Sequence, residues 1–197
     1  VAIHVGQWSS ECGSLLMGTP AGRSVYASTG FSCSVTCGRV SFALGLQGPC
    51  ASYDTACSAS LVANHGSVRG LQRVECASGL SAGVNMILEP SAMRGNALAG
   101  FTSVRGRSHT FDARADGYAR GEAIGALACR LGMGDAAVPS RRARTVGSAV
   151  LQDGRSASLT APNGQAQQGV LSASLVDARL EASVVAVLEA RAWAARL

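Results

Sequence analysis

Lysine is missing from this sequence: all 17 basic side chains are arginine, set against 12 acids for a formal charge of +5. The arginines stand singly along most of the chain, and the one dense run is Arg141, Arg142 and Arg144. A nucleic-acid surface needs a clustered basic stripe with stacking side chains. DNA and RNA are therefore set aside, and the run reads as a solvated loop or as a surface for a phosphate-bearing partner. C-x-x-C pairs are also lacking, and His4, His65 and His109 do not fall at zinc-like spacings around the cysteines, so no metal site is expected. The seven cysteines, Cys12, Cys33, Cys37, Cys50, Cys57, Cys76 and Cys129, are an odd number. That fits reduced thiols in an intracellular or organellar compartment, most of them packed as small hydrophobes. No apolar run approaches the roughly 18 residues of a membrane span, and no basic region followed by an apolar stretch opens the chain. The first residue is Val1, which fits a mature product or a fragment of a longer chain.

Aromatics are scarce at 5%, whereas hydrophobic residues reach 47% and glycine numbers 24. Closely packed strands and helices joined by tight turns suit such a composition, and 197 residues suffice for one good core. The β-branched run V-A-I-H-V-G, residues 1–6, predicts a buried strand. Mixed spacings of three and four over 32–46 predict a helix that G-L-Q-G-P stops. A short strand is expected over 50–54, a further strand over 80–88 broken near its start by Gly83, and a loop over 89–118. Strands are expected over 123–130, around Val146 and over 184–188, with a helix over 165–180 and an irregular polar stretch over 152–164. Alternating strands and helices imply an α/β fold with a mainly parallel sheet covered by helices.

Cys57 falls one turn ahead of Leu61, His65 and Val68, which form a helical line behind it. A helix start carries partial positive charge and unpaired N–H groups, which favour a thiolate and can hold a developing oxyanion. Against this stands the tendency of cysteine in Ala- and Ser-rich stretches to be a buried small side chain, so local pattern leaves both readings open. His65 lies eight residues on, about 12 Å along a regular helix, too far to bond Cys57 directly; it reads as a core or interface histidine. G-N-A-L-A-G at 95–100 lacks the strand and spacing of a phosphate-cradling loop. Asp116, Arg120 and Glu122 read as a salt-bridge network around a tight turn rather than as acid–base groups.

Taken in order, G-R-V-S-F-A-L-G-L-Q-G-P, Y-D-T-A-C-S-A-S-L-V-A, A-G-V-N-M-I-L-E-P, T-F-D-A-R-A-D-G-Y-A-R-G-E and G-S-A-V-L-Q-D-G-R-S-A-S-L-T-A-P-N-G-Q resemble the β-ketoacyl synthase (ketosynthase) domain of modular polyketide synthases and type I fatty-acid synthases. The resemblance implies a thiolase-like, layered α-β-α architecture. Residues 1–197 would form a partial ketosynthase domain: most of the first half and the beginning of the second. A partial domain is expected to expose apolar sheet and helix surface.

The resemblance also implies that Cys57 takes an acyl chain from an acyl carrier protein as a thioester, before decarboxylative Claisen condensation with a malonyl-type extender in the complete domain. Substrates would arrive on phosphopantetheine, with no cofactor of the chain's own. The implied partners are the carrier protein and a second copy or another ketosynthase, paired through the strand before Cys57.

Several positions depart from the family pattern. Where the family has E-A-H-G-T-G-T, residues 189–195 read E-A-R-A-W-A-A, putting Arg191 at the first histidine and Trp193 in place of a small hydroxyl residue. Arginine cannot exchange protons near neutral pH. Arg191 is either a loss in a degenerate synthase or the mark of a break near a fragment end. The second histidine and the glycine-rich loop of the family are expected beyond Leu197, so complete condensation by these 197 residues is not expected. Gly38 and Leu151 also stand where asparagine is usual. The alternative reading is a non-catalytic pseudo-ketosynthase that pairs with an active partner.

Overall fold

Six consecutive buried residues, Ala2–Gln7, form β1, the strand around which the first unit is built. The computed structural model describes residues 1–8, 10–132, 143–159 and 161–189. These divide into two compact units, Val1–Leu131 and Gly132–Glu189.

In the first unit β1 lies between β2 (Cys50–Tyr53) and β3 (Gly79–Asn85), parallel to both, and β4 (Ala123–Cys129) runs antiparallel beside β3. The β-branched residues of β1 suit a strand flanked on both edges and covered on both faces. Ile3 and Val5 face helix α3 (Cys33–Leu44), where they pack with Cys37, Val40, Leu46 and Leu80. Gly45, at φ +65°, ends α3: its N–H donates to Phe42 O, and the next N–H, from Leu46, reaches back to Ser41 O at 2.8 Å. This is the glycine stop expected after the helical pattern, and it returns Leu46 to the core.

Helix α4 (Ala59–Gln72) covers the opposite face of the sheet. Its buried residues are Ala59, Ala63, Ser67, Gly70 and Leu71, not the expected line of Leu61, His65 and Val68. Leu61 is exposed. Most of the buried residues are small, and the helix lies close to the sheet at Ser67: a Cβ on Gly79 would stand 2.2 Å from Ser67 Oγ. Gly83 does not break β3, which continues through it to Asn85 and ends three residues short of the expected limit.

Two short helices, α1 (Glu11–Met17) and α2 (Ala27–Phe31), follow β1. The stretch expected to be a loop after β3 contains α5 (Pro90–Leu98). Pro90 in its first turn is a helix-starting residue whose missing N–H costs nothing there. Gly95 lies within α5, and the Gly100 N–H bonds back to Ala97 O at 3.0 Å, so the Gly-spaced stretch closes a helix. Among the residues of β4, all but Cys129 are exposed, Ile124 and Leu127 included.

The second unit is organised by α6 (Gly164–Ala178), close to the expected bounds. Asn163 caps it, accepting from the N–H groups of Gln165 and Ala166, while its own N–H donates to Asp153 Oδ2 at 2.9 Å. The expected strand around Val146 does not form. The Ser148 N–H donates to Asp177 Oδ2 at 2.9 Å, and Gly147 lies against Ser174 and Ala178, so α6 rather than a strand occupies this backbone. The expected strand over 184–188 is also absent: the N–H groups of Val184 and Val185 turn back to Glu181 and Ala182. Among the described residues, no helix is long and apolar enough to cross a membrane.

Candidate functional site

The chain leaves β2 at Tyr53 and reaches α4 through one 3₁₀ turn, Ala56–Ser58, with Cys57 at its centre. The Asp54 carboxylate accepts from the Ala56 N–H at 3.2 Å, and Ser58 Oγ donates to Thr55 O at 2.9 Å. Ala56 has φ +51°, a left-handed conformation that costs a non-glycine residue about 1 kcal/mol. This sharp reversal lifts the thiol onto the surface, and Cys57 is exposed. Of the two readings that the local pattern allowed, burial of this thiol is the one the structure rules out.

Two glycines let the turn sit where it does. A Cβ on Gly6 would stand 2.4 Å from the carbonyl of Ala59, and one on Gly83 would stand 2.6 Å from Ser60 Cβ. The first turn of α4 is therefore seated in the backbone of β1 and β3 near their carboxyl ends. No side chain caps α4: Ser58 at its N-cap makes no such bond, and the Ala59 N–H donates to Ala56 O within the 3₁₀ turn that precedes the helix. His65 is half-buried within α4, six residues beyond Ala59.

The same end of the sheet holds a charged pair that sequence spacing does not reveal. Arg120 Nη2 meets Glu11 Oε1 at 3.0 Å, and Glu11 Oε2 accepts from the N–H groups of Leu88 and Glu89 at 2.7 and 2.9 Å. Burial opposes ionisation of Glu11, but these hydrogen bonds and the guanidinium outweigh it and hold the carboxyl below its ordinary value. The Arg120 guanidinium also lies over the Trp8 ring, 5.6 Å from its centre. The expected structural role of Asp116, Arg120 and Glu122 holds, but their partners are not one another. Asp116 accepts from Ser103 and lies 3.6 Å from Arg105, and Glu122 accepts from the Ile87 N–H at 2.8 Å. The only cue in the sequence was an acid, Glu11, directly after a capping serine.

A second, part-buried polar pair lies under α4. His4 Nδ1 is 3.1 Å from the Tyr53 hydroxyl, the rings are stacked at 5.7 Å, and His4 Nε2 has no hydrogen-bond partner among the described residues. Burial pushes the imidazole below its ordinary value, opposed by the charge of Glu75.

The expectation that most thiols would be buried is not met: only Cys37 is, while Cys12, Cys50 and Cys57 are exposed. Among the described residues, no group of three or more His, Cys, Asp or Glu is arranged to hold a metal ion. Arg144 and Glu189 are exposed; Arg141, Arg142, Arg191 and Trp193 lie outside the described residues.

The four-stranded mixed sheet between α3 and α4, with the Cys57 turn at the start of α4, belongs to a thiolase-like α/β fold, as its structural neighbours show. Residues 1–129 match the family "Beta-ketoacyl synthase, N-terminal domain", and residues 142–197 match "Beta-ketoacyl synthase, C-terminal domain". The chain belongs to the β-ketoacyl synthase family. Within it, the resemblance is to ketosynthase domains of polyketide synthases. The chain is 40% identical over 199 residues to pikromycin polyketide synthase component PikAII of Streptomyces venezuelae, covering 100% of this chain and 5% of that protein. It is 45% identical over 179 residues to phenolphthiocerol synthesis polyketide synthase type I Pks15/1 of Mycobacterium bovis, covering 87% of this chain and 8% of that one. Among solved structures, the oxazolomycin ketosynthase domain OzmH KS7 of Streptomyces albus JA3453 superposes with a TM-score of 0.78 at 28% identity, over 91% of this chain and 32% of that chain. The ketosynthase from module 6 of the bacillaene synthase of Bacillus subtilis 168 gives 0.75 at 29% identity, over 91% and 30%.

Proposed function

We propose that Cys57 is the acyl-accepting nucleophile of a β-ketoacyl synthase. Its sulfur attacks the thioester carbonyl of an acyl chain carried on the phosphopantetheine arm of an acyl carrier protein. A tetrahedral intermediate forms, the carrier thiol leaves with the proton that Cys57 gives up, and the chain remains on Cys57 as a thioester. In the complete domain, decarboxylation of a malonyl-type extender would then supply the carbanion that attacks this thioester. The observation that carries the reading is the exposed thiol on a left-handed turn seated against Gly6 and Gly83 at the start of α4. Leading N–H groups at that helix start are suited to the oxyanion of the intermediate. No cofactor of the chain's own is needed for this step.

On this reading, residues 1–197 are a partial ketosynthase domain, and a reducing compartment would keep its thiols available. β2, the edge strand of the sheet among the described residues, fits pairing with a second copy or another ketosynthase. Incubation with an acyl-phosphopantetheine thioester tests the transfer. Intact-protein mass spectrometry should show one acyl group, mapped to Cys57 and lost in Cys57→Ala. An adduct that persists in that variant would refute the assignment.

A second reading, a non-catalytic ketosynthase pairing with an active partner, is favoured by Arg191 at the place of the family's histidine. A stable complex with a complete ketosynthase, combined with failure of Cys57 to acylate, would select it.

A further inference from the structure

The proposed acyl transfer uses one of seven thiols, and two of the others face each other across the α3–β2 contact. The Cys37 N–H donates to Ser52 Oγ at 3.2 Å, which fixes this turn of α3 onto β2. Cys50 lies two residues before Ser52 in the same strand, so both side chains project from the same face of the sheet, toward α3. Cys50 is also in register with Ile3, the β1 residue against which Cys37 packs. Its thiol lies beside Cys37 and Ser41, which are one turn apart on α3. Burial pushes the Cys50 thiol up, the neighbouring Cys37 thiol adds to this, and Ser41 opposes it. Cys37 is 4% exposed, whereas Cys50 is open to solvent. Cys33, one turn earlier on α3, also lies within reach of the Cys37 charge, and its side chain meets Gln7 and faces Asp54.

From this placement we infer that Cys37 and Cys50 form an oxidisable dithiol that closes to an intrachain disulfide when a small-molecule disulfide such as glutathione disulfide is the oxidant. The exposed Cys50 thiolate attacks one sulfur of the oxidant, forming a mixed disulfide and releasing one glutathione thiolate. The Cys37 thiolate then attacks the Cys50 sulfur and releases the second glutathione. Two protein thiols lose two protons and two electrons, and one oxidant disulfide becomes two thiols. The bond would staple α3 to the strand that leads into the Cys57 turn, without consuming Cys57. Cys57 would be left to hold glutathione as a simple adduct.

The test uses the full chain and glutathione disulfide at mildly alkaline pH, followed by acid quench, alkylation in denaturant and non-reducing peptide mapping. A peptide linking Cys37 to Cys50 is expected, also in Cys57→Ser, and lost in Cys50→Ser. The unsubstituted chain carries the main readout, so a folding defect in a variant would not mask the answer. Persistent glutathione on Cys50 with Cys37 alkylated would overturn the inference. So would a Cys33 link, or a disulfide-bonded dimer on a non-reducing gel. Because Cys57→Ser retains the linked peptide, failure of the acyl-transfer reading and failure of this one are separable.

Discussion

Arg120 and Glu11, 109 residues apart in sequence, form an ion pair at 3.0 Å with side chains only 5% and 7% exposed. A guanidinium stripped of water is tolerated here because the carboxylate and the Trp8 ring face it, and the carboxylate in turn holds two backbone N–H groups. The pair ties the segment after β1 to those after β3 and before β4.

Arg120→Ala should cost about 3–5 kcal/mol, because it leaves the Glu11 charge buried without its counter-ion. Chemical denaturation would measure this. The folded-state value of Glu11 is depressed, so its contribution is present above about pH 4.5 and is lost as pH falls through the folded value. Glu11→Gln should flatten the acid limb of the stability profile.

His4 predicts loss of stability in a milder pH range. Its folded value lies below the ordinary 6.5, so the unfolded chain takes up a proton first as pH falls. Stability should be full above about pH 6.5 and decline as pH drops through the folded value. The Tyr53 hydroxyl stays neutral throughout this range, burial having pushed it up. Denaturation midpoints for the natural chain and His4→Phe, compared on either side of that pH, would show whether the decline disappears with the imidazole.

Gly6→Ala should destabilise the chain by about 1–3 kcal/mol, since the new methyl meets the Ala59 carbonyl at 2.4 Å and either β1 or the start of α4 must shift. The iodoacetamide reaction rate of Cys57 should change with it. Gly38→Ala is the control. Among the described residues, nothing beyond its own helix backbone and chain neighbours lies within 4 Å of its Cβ position, so alanine within α3 should stabilise by about 0.5–1 kcal/mol and leave that rate unchanged.

Ala56→Val should cost about 1–2 kcal/mol, because a branched side chain fits poorly at φ +51°. Acylation of Cys57 should slow in this variant, read by mass spectrometry over time. An unchanged rate would show that the left-handed turn does not set the thiol's presentation.

The strands β1 to β4, the stop of α3 at Gly45, helix α6 and the placement of Cys57 ahead of a helix were all legible in the sequence, because each depends on local patterns of apolar, capping and turn residues. Ordered motifs likewise carried the family. The buried face of α4 was not legible. Periodicity picks out the largest apolar residues, such as Leu61, whereas close approach to a sheet selects the smallest, Ala59, Ala63 and Ser67. The segments around Val146 and after Val184 are β-prone, yet a strand exists only where a neighbour accepts its hydrogen bonds, and here those N–H groups find Asp177, Glu181 and Ala182. Sequence by itself therefore determined which residues could form the elements and which cysteine stands at the turn before a helix. Tertiary structure alone decided the Glu11–Arg120, His4–Tyr53 and Cys37–Cys50 neighbours, because each joins residues whose separation along the chain says nothing about their distance in space.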